Sequence, residues 1–421
     1  MISAQSLLVN RDVPEKYRNN FLHLFLDIAW FGVLSGSAIN FLNIYATRLG
    51  ATPFQIGLLS ATTAVVNLVF AIPVGHWLAN RSIGKAVFWT SIFYRVGFLL
   101  WVPLPWLFDA PTQTWALIVL ALFMGIPLTA LGVGFNVLFA TAVPTQYRAY
   151  VAGTRNVLLS STFMLTSLGC GVLLDRAAYP LNYQIVFLIG AIGGGMSSFH
   201  LYHVRTLDEE SVEAKPTSPP PDPAPDKKRR SQAWLTTIRA DIWASPFRVT
   251  LLLFLGFHLA QYLAIPLFPV YNVRVLNLSD ENIGIGTALF YLTVLIGSTQ
   301  LDRMVRRTGH KNVTGWGVAG MSLYPIFLGL SSLVWQYYFI SAFGGLIWAL
   351  VGGGYANYLL EKVPENDRPA HLAWYTIVLN VAVLVGSLVG PVFSNLIGIA
   401  AALILAGILR LLAGMAILKW G

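Results

Sequence analysis

The chain has 421 residues, of which 56% are hydrophobic and 11% charged, whereas an ordinary soluble domain carries about 25% charged residues. Its mean hydropathy of +0.65 leaves too little polar surface to coat a soluble protein of this length, which excludes soluble, disordered and collagen-like classes and points to a chain facing lipid. The formal charge is +9, from 27 Lys+Arg against 18 Asp+Glu, and the single cysteine, Cys170, excludes an internal disulfide, thiolate zinc clusters and iron–sulfur ligation.

A bilayer core needs about 20 apolar residues in a helix, and twelve runs meet that requirement: 21–46, 53–79, 85–108, 113–141, 151–173, 181–203, 248–273, 282–301, 312–333, 335–360, 369–395 and 398–419. The first run lacks the short charged lead and small-residue cleavage site of a signal peptide and is expected to be retained. The predicted fold is therefore an all-α integral membrane protein with twelve transmembrane helices. Residues 1–20 form a terminal segment, 21–204 a first six-helix bundle, 205–247 a linker and 248–421 a second bundle.

Basic residues concentrate in cytoplasmic loops. With both termini in the cytoplasm, 22 of the 27 basic residues fall on cytoplasmic loops or span ends, Arg48, Arg176 and Arg274 lie outside, and Arg95 and Arg410 lie within spans. Cytoplasmic regions then hold 13 of the 18 acidic residues and the outside holds 4, so Asp27 is the only carboxylate inside a span. The expected location is the cell (inner or plasma) membrane. Trp77, Trp89, Trp101, Trp106, Trp115, Trp316, Trp335 and Trp420 sit near predicted span ends, where indoles prefer the headgroup layer.

Between 205 and 247 the chain changes character: Asp208, Glu209 and Glu210 are followed by PTSPPPDPAP at 216–225 and KKRR at 227–230. Proline cannot continue a helix, so a flexible or semi-extended linker is expected. Positive-inside topology accounts for KKRR without nucleic acid. Trp234, Leu235, Ile238, Ile242 and Trp243 then recur at helical spacing and predict a helix on the cytoplasmic membrane surface.

The two halves repeat each other. Tyr45, Arg48 and Ile56-Gly57 recur as Tyr271, Arg274 and Ile283-Gly284, and Val143-Pro144 with Arg148 recur as Val363-Pro364 with Arg368. An aromatic and an Asn precede the second set in each half: Phe135-Asn136, and Tyr355 with Asn357. Same-order matches in nearly constant register argue for two six-span halves in parallel orientation, related by an axis along the membrane normal.

In this organisation the sequence resembles the major facilitator superfamily over essentially all of the chain from about residue 20. The family's loop between the second and third spans of each half carries a Gly, an Asp and basic residues. Here Gly75, Asn80-Arg81 and Gly84-Lys85 stand in the first half, and Asp302-Arg303, Arg306-Arg307 and Gly309-His310-Lys311 in the second. Asn80 stands near where the family has Asp. Proton-coupled drug exporters of the family carry an Arg in the fourth span and a Gly-Pro pair in the fifth. No Arg occurs between 113 and 141, and Gly169-Cys170-Gly171 has no Pro, although Gly390-Pro391 appears at the corresponding place of the eleventh span.

Polar residues inside a span are functional hypotheses by default. Asp27 is expected near the cytoplasmic end of the first helix, with Arg155 of the fifth span as first-choice partner and Arg95 of the third as second. Its two readings are a protonatable coupling group and a structural ion pair at a gate. His258, Gln261 and Tyr262, spaced i, i+3, i+4, share one helix face. The resemblance implies that spans one, four, seven and ten line the central cavity, so this face is expected to bind solute, with Asn136, Tyr355, Asn357 and Asn40 in support. Asn40 is thirteen residues after Asp27, about 220° around an ideal helix. Weaker candidates are Tyr375, Asn380, Asn67 and Tyr291. Arg410, His200 and His203 belong to helices expected at the periphery, where snorkelling or packing accounts for them. Gly190, Gly193, Gly194, Gly195 and Gly352 to Gly354 suit close helix approach. No metal-ligand spacing, cofactor motif or nucleophilic triad is found, so no enzyme is expected.

The expected function is secondary active transport of a small, neutral or weakly charged organic solute by alternating access, with protons as the candidate coupling ion and the protein acting as a monomer. The alternatives are export of lipophilic compounds or lipid flipping, and, from another class, a non-transporting receptor or assembly factor on the same fold.

Overall fold

In the computed structural model, which describes residue 9, residues 13–206 and residues 239–421, the described residues are almost entirely helical. Among the described residues eleven continuous helices are long and apolar enough to cross a membrane. We label them α1 (Glu15–Arg48), α2 (Pro53–Ala79), α3 (Ile83–Trp101), α4 (Ala110–Ala142), α5 (Thr145–Arg176), α6 (Leu181–Tyr202), α7 (Phe247–Arg274), α8 and α9 (together Asp280–Leu330), α10 (Val334–Lys362), α11 (Arg368–Ile397) and α12 (Ile399–Trp420). The 51 residues of Asp280–Leu330 would measure about 77 Å as one rod, far beyond a bilayer core of about 30 Å. The run folds back at Gly309, whose φ of 80° lies in the region open to glycine. It therefore makes two crossings, α8 (280–308) and α9 (310–330), twelve in all among the described residues.

Local sequence marks the ends. Thr52 and Gln55 form a reciprocal capping box ahead of Pro53, Asp109 caps α4 ahead of Pro111, and Ser279 caps α8; each satisfies backbone N–H groups the helix leaves open. Within the first half α1 packs on α5 and α6, α2 on α4, and α3 on α4 and α6; within the second α7 packs on α11 and α12, and α8 and α9 on α10 and α12. The halves meet through α2 against α11 and α5 against α8.

The repeated motif has a physical role at that seam. Gly57 faces the Ser387 carbonyl of α11, where a Cβ would come within 2.2 Å; Gly284 faces the Ser167 carbonyl of α5, where a Cβ would come within 2.7 Å. The glycines let the two halves touch backbone to backbone. Tyr45 and Tyr271 pin each half internally, to Gln113 and to the Gly329 and Ser331 carbonyls. Arg48 and Arg274 each reach across to the other half, to Leu278 and Asp280 and to Thr47 and Ala51.

The structure differs from expectation in several places. The first helix begins at Glu15, six residues before the predicted start, and α3 ends at Trp101, before the predicted 108. A π-helical turn at Ser35–Ile39 interrupts α1, so the ideal 100° per residue between Asp27 and Asn40 does not hold. Trp101 is 2% exposed: it packs edge-on against Phe98 and Phe187 instead of at a headgroup layer, while the other seven named tryptophans are exposed. The Pro-rich and KKRR segments, with Trp234, Leu235 and Ile238, lie outside the described residues. Ile242 and Trp243, the described residues of the expected surface helix, sit in a short 3-10 turn, Ala240–Ala244. Ile242 is buried, Trp243 packs on Trp374, and Arg239 bonds Asp241 and Asp367, so this stretch is docked on the start of α11.

Candidate functional site

Four helices of the first half converge on Asp27. Its Oδ2 lies 3.1 Å from Arg155 Nη1 of α5, its Oδ1 3.6 Å from Arg95 Nη2 of α3, and Ser197 Oγ of α6 donates to Oδ1 at 2.5 Å. Arg155 also donates to the Leu24 carbonyl, and Arg95 Nη1 donates to Ser198 Oγ at 2.9 Å. The guanidinium groups lie over Phe135 and Phe31. All three charged side chains are buried, and the cluster holds one carboxylate for two guanidinium groups. With the helix starting at Glu15, Asp27 lies about 18 Å along the axis, deeper than the expected position near the helix end. His23 and His200 approach to 3.0 Å and His23 stacks on His203, so the histidines of α6 are packing residues against α1.

The second half holds a different arrangement. His258 Nε2 lies 3.0 Å from Tyr375 Oη of α11, and its ring sits among Phe254, Phe257 and Tyr355. It is buried, with Nδ1 unpartnered among the described residues. Gln261, three residues on, takes another partner: its Oε1 accepts from Arg410 Nη2 of α12 at 3.4 Å. Tyr262 lies against Gly386 of α11. The shared face of α7 is therefore divided between α11 and α12 and does not form one open stripe.

Of the two expectations for Arg410, snorkelling and packing, burial excludes the first. Arg410 is 3% exposed, its guanidinium lies 5.6 Å from the Phe257 ring centre, and among the described residues it has no acidic partner and its Nε has no hydrogen bond. It lines a cavity of about 320 Å³ with Gln261, Tyr291, Tyr324, Tyr337 and Ser341. Two aromatic walls stand where glycines make room: a Cβ on Gly286 would come within 2.2 Å of Tyr337, and one on Gly344 within 2.4 Å of Tyr324. The sequence did carry a signal for this site, since a charged residue within a span has no cheap place to go.

The other candidates are dispersed. Asn40 donates to Ser167 Oγ at 2.9 Å and so ties α1 to α5. Asn136 is exposed on α4, and Asn357 is exposed on α10 with its amide on the Gly353 carbonyl. Asn67 of α2 joins the halves through Asn380 of α11 at 3.1 Å and also accepts from Thr129. Tyr291 packs at a tilt on Phe163 of α5, with ring centres 4.2 Å apart. In the loop motifs, Asn80 caps α2, Arg81 lies over Trp77, and Arg306 lies 3.9 Å from Asp302; Gly75 lies inside the last turns of α2, Gly84 and Lys85 in the first turn of α3, and Arg303, Arg307 and Lys311 flank Gly309. Gly190, Gly193 and Gly194 meet α1 and Arg95 closely and Gly353 meets Leu301, whereas Gly195 has open space beside it and a Cβ on Gly352 would make only an ordinary contact with Trp348. Among the described residues no group of three His, Cys, Asp or Glu side chains could hold a metal.

On the face opposite the termini the halves are clasped. Arg48 Nη2 donates to Asp280 Oδ1 at 2.8 Å and to the Leu278 carbonyl at 2.8 Å. Tyr183 Oη donates to Asp280 Oδ2 at 2.8 Å, and the Asp280 and Glu281 amides donate to Asp175 at 3.0 Å. Asp280 thus joins α1, α6 and α8, a partnership invisible in the repeat because only the arginines recur.

Comparison with known proteins agrees with this architecture. The D-xylose-proton symporter superposes with a TM-score of 0.70 at 14% identity, covering 96% of this chain and 97% of that one. The nucleoside transporter NupG gives 0.70 at 11% identity, covering 95% and 99%. A bacterial homologue of the iron transporter ferroportin, in an inward-facing state, gives 0.70 at 12% identity, covering 95% and 98%. At these identities the likeness concerns the fold. Among curated proteins, Multidrug resistance protein 2 of Bacillus subtilis (strain 168) is 26% identical over 129 residues, a match that spans 31% of either chain. The Major Facilitator Superfamily model matches residues 25–280 and 250–420, and with its repeated halves and twelve crossings this chain belongs to that superfamily, a family of membrane transporters.

Proposed function

We propose that the protein is a secondary active transporter that moves a small organic solute across the cell's cytoplasmic membrane by alternating access, with the termini face in the cytoplasm and the outer face closed in this structure. The observation that carries the reading is the reciprocal clasp of Arg48 and Arg274 across the halves at the face opposite the termini. These contacts involve few residues and are polar, so exchanging them for water costs little, unlike separating an apolar core. The two six-helix units then rock about the glycine-lined α2–α11 and α5–α8 seams.

Proton coupling through Asp27 is the accompanying reading, supported by its being the only carboxylate in a span. The test is uptake by proteoliposomes of a panel of radiolabelled sugars, nucleosides, amino acids and carboxylates, with internal pH recorded. Solute-driven proton entry in the parent and its loss in Asp27→Asn supports the reading; uptake with unchanged proton entry in that variant removes Asp27 from coupling, and absence of flux for the whole panel counts against transport of such solutes.

A second reading, export of lipophilic compounds, draws on an apolar groove of about 820 Å³ between α2, α3 and α4, lined by Pro73, Trp77, Phe93, Phe123 and Pro127, and on the partial match to a protein named for multidrug resistance. Outward flux of a lipophilic dye, driven by the same gradient, would decide for it.

A further inference from the structure

The cavity around Arg410 has a charge imbalance that the protein itself does not resolve. A guanidinium taken out of water is costly unless an anion or several hydrogen bonds replace its hydration. In the first half Arg95 and Arg155 share Asp27. In the second half Arg410 is 3% exposed, and among the described residues its polar contacts are one long hydrogen bond from Nη2 to Gln261 and the face of Phe257. Its Nε is buried and unpartnered. Among the described residues no carboxylate lines the cavity.

We propose that this cavity is a binding subsite for a small aromatic monocarboxylate, with Arg410 as the anion receptor. The inference rests on the transport reading for its purpose and on geometry for its chemistry. A guanidinium fork presents parallel N–H donors that match the two oxygens of one carboxylate. Gln261 spends its carbonyl oxygen on Arg410, which leaves its amide N–H groups to donate to the same anion. The remaining walls, Tyr291, Tyr324 and Tyr337, offer ring faces and edges for an aromatic body. A volume of about 320 Å³ is at the small end of ligand pockets, so one ring with a short acidic arm fits and a large amphiphile does not. The single positive charge selects one negative charge; a dianion would leave one charge buried without a counter-ion.

The test uses the purified full-length protein at constant pH and ionic strength, with benzoate, benzamide and benzylamine as probes, read by thermal shift and by calorimetry. Benzoate is expected to raise the melting temperature of the parent, and benzamide, the same ring without the charge, to bind at least about tenfold more weakly. Benzylamine is expected not to bind. Arg410→Met should lose the benzoate response while melting no lower than the parent, because it removes an unpaired buried charge, and Arg410→Lys should retain a weakened preference for the anion. Arg176→Gln, an exposed arginine at the end of α5, controls for loss of charge alone.

Equal binding of benzoate and benzamide, no binding of benzoate, or an unchanged benzoate response in Arg410→Met overturns the subsite. A collapse in stability of both Arg410 variants without ligand also overturns it, since it would show Arg410 to be structural. Failure of the transport reading looks different: Arg410-dependent benzoate binding with no flux in proteoliposomes leaves the subsite standing and removes transport, whereas solute flux without Arg410-dependent benzoate binding leaves transport standing and removes the subsite.

Discussion

Arg48 at the end of α1 and Asp280 at the start of α8 meet at 2.8 Å across the boundary between the two halves, although 232 residues separate them. Asp280 is 4% exposed and also holds α6, through Tyr183. If the face opposite the termini opens during a cycle, this contact must break. Asp280→Asn keeps the size and removes the charge, and the expected outcome is a shift toward a form open at that face. Spin labels at Phe54 and Val275, both exposed near that face, should show a longer and broader distance distribution in Asp280→Asn than in the parent; an unchanged distribution would remove the clasp from gating.

The Asp27 cluster makes a stability prediction whatever its role in transport. Asp27→Asn would leave two buried guanidinium groups without a counter-charge, at a cost of roughly 3–5 kcal/mol. Replacing Asp27 and Arg155 together by Leu and Met should cost less than the two single changes summed, because each single change strands the other's charge. Arg155 should couple more strongly to Asp27 than Arg95 does, at 3.1 Å against 3.6 Å. Melting of the four combinations in one detergent checks this, and simple additivity would show that the pairing contributes nothing.

His258 and Tyr375 form a bond whose loss should be asymmetric. Tyr375→Phe leaves the buried imidazole with no partner at either nitrogen, since Nδ1 already has none, at about 1–3 kcal/mol. His258→Leu combined with Tyr375→Phe removes both polar groups from an aromatic pocket and should recover most of that loss. A double variant less stable than Tyr375→Phe alone would show that His258 has further partners.

The docked turn at 239–244 carries a pH prediction. The hydrogen bond from Arg239 holds the Asp241 carboxyl below the usual carboxylate range, and bonds to Asp241 and Asp367 raise the Arg239 guanidinium. A depressed carboxyl stabilises docking above its free value of about 3.9 and loses that contribution as pH falls through its lowered value. Hydrogen exchange of the turn should therefore be steady at neutral pH and accelerate only in acid below about pH 4, after correction for intrinsic rates. Arg239→Gln should accelerate it at every pH.

Twelve apolar runs, the positions of their charges and the six-plus-six repeat were all legible along the chain, because crossing lipid is a requirement each segment meets on its own. Asp27 with Arg155 and Arg95 was legible too, since a span with few charges leaves few partners. Residues such as Arg410, Trp101 and the α7 face were a different matter. From the chain alone Arg410 belongs to a peripheral helix, Trp101 to a headgroup layer, and His258 and Gln261 to one solute-binding helix face. Which side of a lipid-crossing helix meets protein depends on its neighbours, and an apolar run in lipid has no amphipathic stripe to declare it. The clasp of Arg48 on Asp280 likewise needed the tertiary structure, because the two residues come together only when the halves pack. Sequence alone thus determined how many times this protein crosses a membrane and in what repeated order; the packing of α7, α10, α11 and α12 decided which of its polar residues face one another and which one, Arg410, is left facing a cavity.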